Sequence, residues 1–207
     1  GCHPFTVDFV NLSSGAGPFS PPYNWDLGDG SVIVNDTNPT HTFSNTSCLL
    51  DSVYTVRLIT TGFPICYDTA VQQILVHPKP CINTFSVTAI ACTPFNNTIC
   101  GIATGADTYY WDFGDASPII TGASDSCLTR IYFNTINTPV FYDAALIVET
   151  NFGCSDTTTA TITVLPDVTA NFTALPDTAD CHPFTVDFVN LSTGFGPGPA
   201  PPTYEWD

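Results

Sequence analysis

The chain has 207 residues and carries 19 acidic against 3 basic side chains, a formal charge of -16 at pH 7. That field repels a phosphate backbone and leaves no counterion release to drive its binding, so nucleic acid is excluded as a partner. With 43% hydrophobic and 13% aromatic residues the chain is too apolar for intrinsic disorder, and no apolar run is long enough to span a bilayer.

Taken in order, the elements are short and follow a period of two. Phe5, Val7 and Phe9 alternate with Thr6 and Asp8, which predicts a half-buried strand. A Gly/Pro-rich loop, Ser14 to Pro22, offers surface for contacts and leads into Trp25-Asp26. Tyr54, Val56 and Leu58 against Thr55 and Arg57 predict another strand. The link from Val76 to Cys81 is brief and proline-bearing, as is that from Val164 to Val168, so neighbouring units are expected to hold limited orientations, as in a semi-rigid rod. Between these links Ala160, Ile162 and Val164 share one face and Thr159, Thr161 and Thr163 the other. Val168 to Ala174 is a further strand-like segment, and a second Gly/Pro-rich loop runs from Thr193 to Pro202. Helix signals are absent, because β-branched and aromatic residues dominate and Pro, Gly, Asn and Asp interrupt the chain about every ten residues. The expectation is an all-β chain of two-sheet sandwiches.

Twelve residues occur twice unchanged, Cys2 to Ser13 and Cys181 to Ser192, each leading to Trp-Asp at Trp25 and Trp206. A weaker third copy starts at Cys92 and reaches Tyr110-Trp111-Asp112. Spacings of 90 and 89 residues set a unit the size of one β-sandwich, and the closer match of the outer copies makes the true repeat a pair of units 179 residues long. The expected divisions are 1-77, without a first strand, then 78-165, then 166-207 as the start of a third unit. The chain reads as a window on a longer polypeptide, since it contains no Met and stops within a motif.

Nine cysteines without a C-x-x-C pair favour disulfides in an oxidising compartment over zinc or thioredoxin-type chemistry. Aligning the copies puts Cys2 and Cys66 where Cys92 and Cys154 sit. Each couple is expected to be bonded within its own unit, a stabilisation of roughly 4 kcal/mol for loops of that length. Cys100 with Cys127 is a third expected pair. Cys48 and Cys81 have no counterparts and are candidates for a link between units or chains.

Tyr23 to Gly30 (Tyr-Asn-Trp-Asp-Leu-Gly-Asp-Gly), Asn38 to Phe43 (Asn-Pro-Thr-His-Thr-Phe) and Tyr54 to Leu58 (Tyr-Thr-Val-Arg-Leu) together resemble the PKD (polycystic kidney disease) domain family. Tyr110 to Asp115 repeats the first part, with Ala116 in place of the last glycine and no Asn-Pro-x-His after it. The resemblance implies immunoglobulin-like sandwiches used outside the cell as spacers, adhesive or force-bearing modules. The Cys-x-Pro opening with a later Gly-Cys turn looks like the bacterial surface-protein variety. In that frame His41 is a packed, hydrogen-bonded residue, and Trp25, Trp111 and Trp206 are core anchors rather than a sugar-stacking stripe.

Asp26, Asp29, Asp112 and Asp115 are weak calcium candidates, because a hard cation wants several carboxylates. The loop lacks the distal Glu of a calcium loop, and the stronger expectation is that they accept backbone N–H bonds while Gly28 and Gly30 take positive φ. Asn11, Asn35, Asn45, Asn96, Asn171 and Asn190 begin N-glycosylation sequons. Thr69, Thr178 and Ser52 sit in Asp-Thr/Ser contexts that resemble an O-glycosylation motif of some gliding bacteria. No Ser/His/Asp, Cys/His or paired-carboxylate arrangement has the spacing of a catalytic site. The expected function is a non-enzymatic repeat of an extracellular filament or adhesin stalk, partnered by neighbouring copies of itself and by a surface or polysaccharide. The alternative is an accessory, substrate-presenting region of a secreted hydrolase or protease.

Overall fold

The computed structural model describes residues 1–14, 23–61, 66–122, 126–175 and 185–194, with positions 183 and 205. The loops 15–22 and 195–202, Trp206 and Thr178 lie outside the described residues. Every regular element is a strand. The first six are β1 (Phe5–Asp8), β2 (Tyr23–Asp26), β3 (Val32–Val34), β4 (Thr40–Phe43), β5 (Ser52–Thr61) and β6 (Tyr67–Val76). Then come β7 (Cys81–Ser86), β8 (Ile90–Cys92), β9 (Phe95–Thr104), β10 (Thr108–Asp112), β11 (Ile120–Gly122), β12 (Ser126–Tyr132), β13 (Val140–Glu149) and β14 (Ser155–Leu165). The last pair is β15 (Phe172–Leu175) and β16 (Asp187–Asn190).

Two sandwiches follow from these strands. In the first, β1-β4 faces the sheet β3-β2-β5-β6; in the second, β12-β9-β7 faces β11-β10-β13-β14-β8. All pairings between these strands are antiparallel except β8 on β14. The alternation read from the chain is realised: Val56 and Leu58 are buried while Arg57 is exposed, and Ile162 and Val164 are buried while Thr161 is exposed. Trp25 and Trp111, only 5% and 2% exposed, sit in the two separate hydrophobic cores. Each large apolar side chain so buried contributes on the order of 1.5–3 kcal/mol.

A buried asparagine secures the corner of each sandwich. Asn45 Nδ2 donates to the carbonyls of Leu50 and Val76, both at 2.9 Å. Asn134 Nδ2 does the same for Thr138 and Val164, both at 2.8 Å. The backbone N–H of each is received by a residue near the start of its unit, His3 Nδ1 for Asn45 and Thr93 Oγ1 for Asn134. The amide thus ties the end of one sheet to the last strand of the other. Asn45 is 2% exposed with both its amide donations committed, which corrects its reading as a glycosylation site.

The sandwiches differ at one edge. In the second, β7 lies along β9, and Ile82 and Phe85 pack on the core. In the first, no described strand occupies the matching edge of β1. β1 runs four residues, whereas β9, paired on both sides, runs ten.

Replacing Asn134 by Ala leaves the buried carbonyl of Val164 without its donor and removes the bond to the Thr138 carbonyl. Urea unfolding should show a loss of about 1–3 kcal/mol, the cost of buried acceptors left unpaired.

Candidate functional site at the joint between the sandwiches

The turn after each core tryptophan uses its carboxylates locally. Asp26 accepts the Gly28 N–H at 3.0 Å and Asp29 that of Ser31 at 2.9 Å. Asp112 and Asp115 accept from Gly114 at 2.9 Å and Ser117 at 3.1 Å. Gly28 has φ +77 and packs so tightly that a Cβ would lie 2.5 Å from the Thr55 carbonyl oxygen. Gly30 has φ 93, and Ala116 takes its place in the second unit at φ 60.

The outer Asp29 oxygen meets His41 Nε2 at 2.7 Å, with the imidazole edge-on to Phe43. In the second unit Arg130 Nε contacts Asp115 at 2.5 Å, so Arg130 stands at the position of His41 in the first, and Tyr132 at that of Phe43. Arg57 pairs with Asp26 at 3.2 Å. These four aspartates are therefore engaged by the protein, and among the described residues no group of three or more His, Cys, Asp or Glu could hold a metal.

Of the remaining glycosylation candidates, Asn35, Asn96, Asn171 and Thr69 are exposed, while Asn11, Asn190 and Ser52 are half-buried.

The cysteines reveal a different feature. Cys100 and Cys127 face each other across β9 and β12 and are bonded. Cys2, however, is joined to Cys154, with a Cα separation of 5.4 Å. Cys66 and Cys92 are free and exposed. The expected pairings Cys2–Cys66 and Cys92–Cys154 are corrected, and strand length supplies the reason. Cys2 bridges to His77 beyond the end of β6, while Cys66 precedes its start. Ten residues of strand at about 3.3 Å each separate them by roughly 33 Å, and a disulfide needs Cα atoms within about 7 Å. Cys92, paired with Leu165, and Cys154, just before Ser155, stand at opposite ends of β14 in the same way.

Cys2–Cys154 therefore bonds one sandwich to the other. So does Cys48–Cys81, which joins the segment before β5 to the start of β7, with Cα atoms 5.5 Å apart. Between the two bonds, His77 stacks on Phe152 with ring centroids 3.9 Å apart and planes 5° from parallel, while its Nδ1 meets Asp51 at 2.9 Å. Gly105 approaches the Cys48 carbonyl so closely that a Cβ would lie 1.8 Å from that oxygen. Lys79 pairs with Asp156 at 2.7 Å. The β13–β14 turn carrying Cys154 is itself braced, because Thr150 Oγ1 accepts the N–H groups of Phe152 and Cys154. Interdomain contacts ordinarily permit relative motion; two covalent bonds and a stacked pair remove the hinge here.

Burial pushes the carboxyls of Asp29, Asp115 and Asp156 up, but hydrogen bonds and nearby cations outweigh it and hold each below its ordinary range. The donors are chiefly His41 for Asp29, Ser117 and Arg130 for Asp115, and Lys79 for Asp156. Burial pushes the Tyr132 hydroxyl, which donates to the Phe113 carbonyl, up to about 12.

No protein-family model and no curated protein matches the chain. Among solved structures, one titled as a Ca2+-stabilized adhesin that helps an Antarctic bacterium reach out and bind ice is similar at 13% identity and TM-score 0.34, over 80% of this chain and 46% of that one. A PcdhgB3 EC1-4 fragment is similar at 11% identity and TM-score 0.35, over 92% of this chain and 51% of its own. The Protocadherin GammaB4 extracellular domain is similar at 12% and 0.33, over 91% and 35%. The chain spans about half the length of these structures or less.

Two outcomes are expected. Digestion of the unreduced protein should release Cys2 and Cys154 in one disulfide-linked peptide pair, and Cys2 joined to Cys66 would refute the joint. The three aspartates are more acidic folded than unfolded. Their stabilisation is fully present above the ordinary aspartate pKa, roughly 3.9, and is lost as pH falls through the lower folded values. Thermal stability should decline below about pH 4, and Asp29→Asn should flatten that decline.

Proposed function

We propose that this chain is a non-enzymatic, load-bearing segment of an extracellular stalk or filament, made of PKD-type sandwich units at 1–77, 78–165 and 166–207 and holding an attachment site at a distance from its anchor. One observation carries the reading: the Cys2–Cys154 bond spans 152 positions and crosses the joint. Tension applied at the first residue enters Cys2 and passes directly to Cys154. Residues 3–153 lie inside the covalent loop and cannot extend while the bond holds. A second bond, Cys48–Cys81, secures the linker inside that loop. Such a joint serves reach under load.

Three disulfides suit an oxidising, extracellular setting. The acidic surface, with only Arg57, Lys79 and Arg130 as basic side chains, leaves trypsin-like proteases few cleavage sites. Glycans on exposed Asn35, Asn96, Asn171 or Thr69 would shield strand edges. The rod works by length and stiffness, with neighbouring copies and an extracellular surface or polysaccharide as its partners. Each turn aspartate already accepts at least one hydrogen bond from the protein, so the turns are held without calling on calcium.

Single-molecule stretching between the two termini tests the proposal. The oxidised chain should lengthen only through residues beyond Cys154, and full reduction should add on the order of 50 nm from the unlocked loop. An oxidised chain that already releases that length would overturn the load-bearing reading.

A further inference from the structure

An antiparallel sheet that covers a core with one face ordinarily turns a polar face to water. The sheet β3-β2-β5-β6 does not. Trp25 and Leu58 point into the core, so their neighbours Asp26 and Arg57 point outward, and with them Val32, Val34, Val53, Val71 and Leu75, all of them exposed.

The second sandwich shows the same face in a different state. From the matching registers β14 stands at the place of β6, and it carries Thr159 and Thr163 where β6 carries Val71 and Leu75. On β13, Asp143 and Glu149 replace Thr55 and Thr61, while Phe141 stays apolar at the place of Val53. One fold thus presents two outer faces, one of threonine and carboxylate and one of valine and leucine.

Charge separates the faces as well. The outward groups of β10, β13 and β14 include Asp112, Asp143 and Glu149 and no cation. Those of β2, β3, β5 and β6 include only Asp26 and Arg57, which cancel, on a chain of formal charge -16. Arg57 Nη1 meets Asp26 Oδ2 at 3.2 Å, and both side chains keep exposed surface. Two copies of so acidic a chain repel over most of their surface, but not across this face.

The face is also complementary to itself. Directly across the four strands the registers Val32↔Asp26, Asp26↔Arg57 and Arg57↔Val71 set out one row, Val32, Asp26, Arg57, Val71. Apolar residues hold its ends, at 58% and 59% exposure, and opposite charges hold its middle. We propose that this face pairs two copies of the chain side by side, about a two-fold axis close to the strand direction and midway between β2 and β5. That operation lays Val32 over the partner's Val71 and Arg57 over the partner's Asp26, each contact occurring twice. In the second unit the corresponding row of Asp112, Ala145 and Thr159 offers no such match.

The size of the face sets the strength. With strands rising about 3.3 Å per residue and lying about 4.8 Å apart, it covers on the order of 400 Å² per copy, below the roughly 1,200 Å² total of a stable interface. Pairing of single copies is therefore weak. Raising the salt should strengthen it, because the Debye length shrinks from about 10 Å at 0.1 M to about 3 Å at 1 M and screens the overall repulsion. The inference goes beyond the stalk proposed above, since it concerns what lies beside one copy.

Sedimentation equilibrium of the full 207-residue chain, with free thiols blocked by iodoacetamide, tests it. The apparent mass should rise from 22.2 kDa toward twice that value with concentration, and more steeply at high salt. Val32→Lys combined with Val71→Lys should weaken pairing at least about tenfold, and so should Val32→Glu combined with Val71→Glu, because each lays like charges over one another. Mixed in equal amounts, the two double variants should pair again, lysine over glutamate. Both positions are exposed, so melting temperatures should stay near that of the unmodified chain, and Thr159→Val on the other sandwich should leave pairing unchanged. A monomer at every concentration and salt, double variants that pair as the unmodified chain does, or a mixture no better than either alone would overturn side-by-side pairing. Force shielding within one copy would stand regardless.

Discussion

The bond between Cys2 and Cys154 is the constraint on which the behaviour of the molecule rests. It joins the first residues of one sandwich to the β13–β14 turn of the next, so the two bodies share a covalent loop as well as a linker. Each sandwich has its own apolar core, and domains joined by a linker ordinarily move relative to one another. With Cys48–Cys81 closing the linker side and His77 stacked on Phe152 between the bonds, no free hinge remains.

Around that joint the two sandwiches build one set of interactions from different residues. Asp29 receives His41 in the first and Asp115 receives Arg130 in the second. The amides of Asn45 and Asn134 are capped by His3 and Thr93, and Phe43 gives way to Tyr132, whose hydroxyl finds the Phe113 carbonyl. What persists is the geometry: a carboxylate held by a side-chain nitrogen across the turn, a buried amide tying the corner, and a large ring in the core. This explains why the second unit shows only a fragment of the motif read in the first and still folds alike.

Residues 8–11 and 187–190 show the limit of local sequence in a different way. Strand propensity is the same in two identical segments, yet only the one with a neighbour is a strand, because a ladder forms when both partners are present.

Most of what lies within one unit was legible in the chain. The period of two placed Val56, Leu58, Ile162 and Val164 inside, the tryptophans fell in the cores, and glycine and aspartate spacing described the turns, since all of these depend on neighbours a few residues away. Alignment likewise revealed which cysteines are equivalent. It could not say whether equivalent cysteines bond within a unit or between units, although a ten-residue strand between Cys66 and the Cys2 side already argued against the former. The burial of Asn45 was hidden for the same reason, because its partners Leu50 and Val76 belong to a corner made by two sheets. Sequence by itself settled strands, turns and repeats; only the tertiary structure decided the covalent joint, because a disulfide forms where two sulfur atoms meet, and that depends on how whole sandwiches stack.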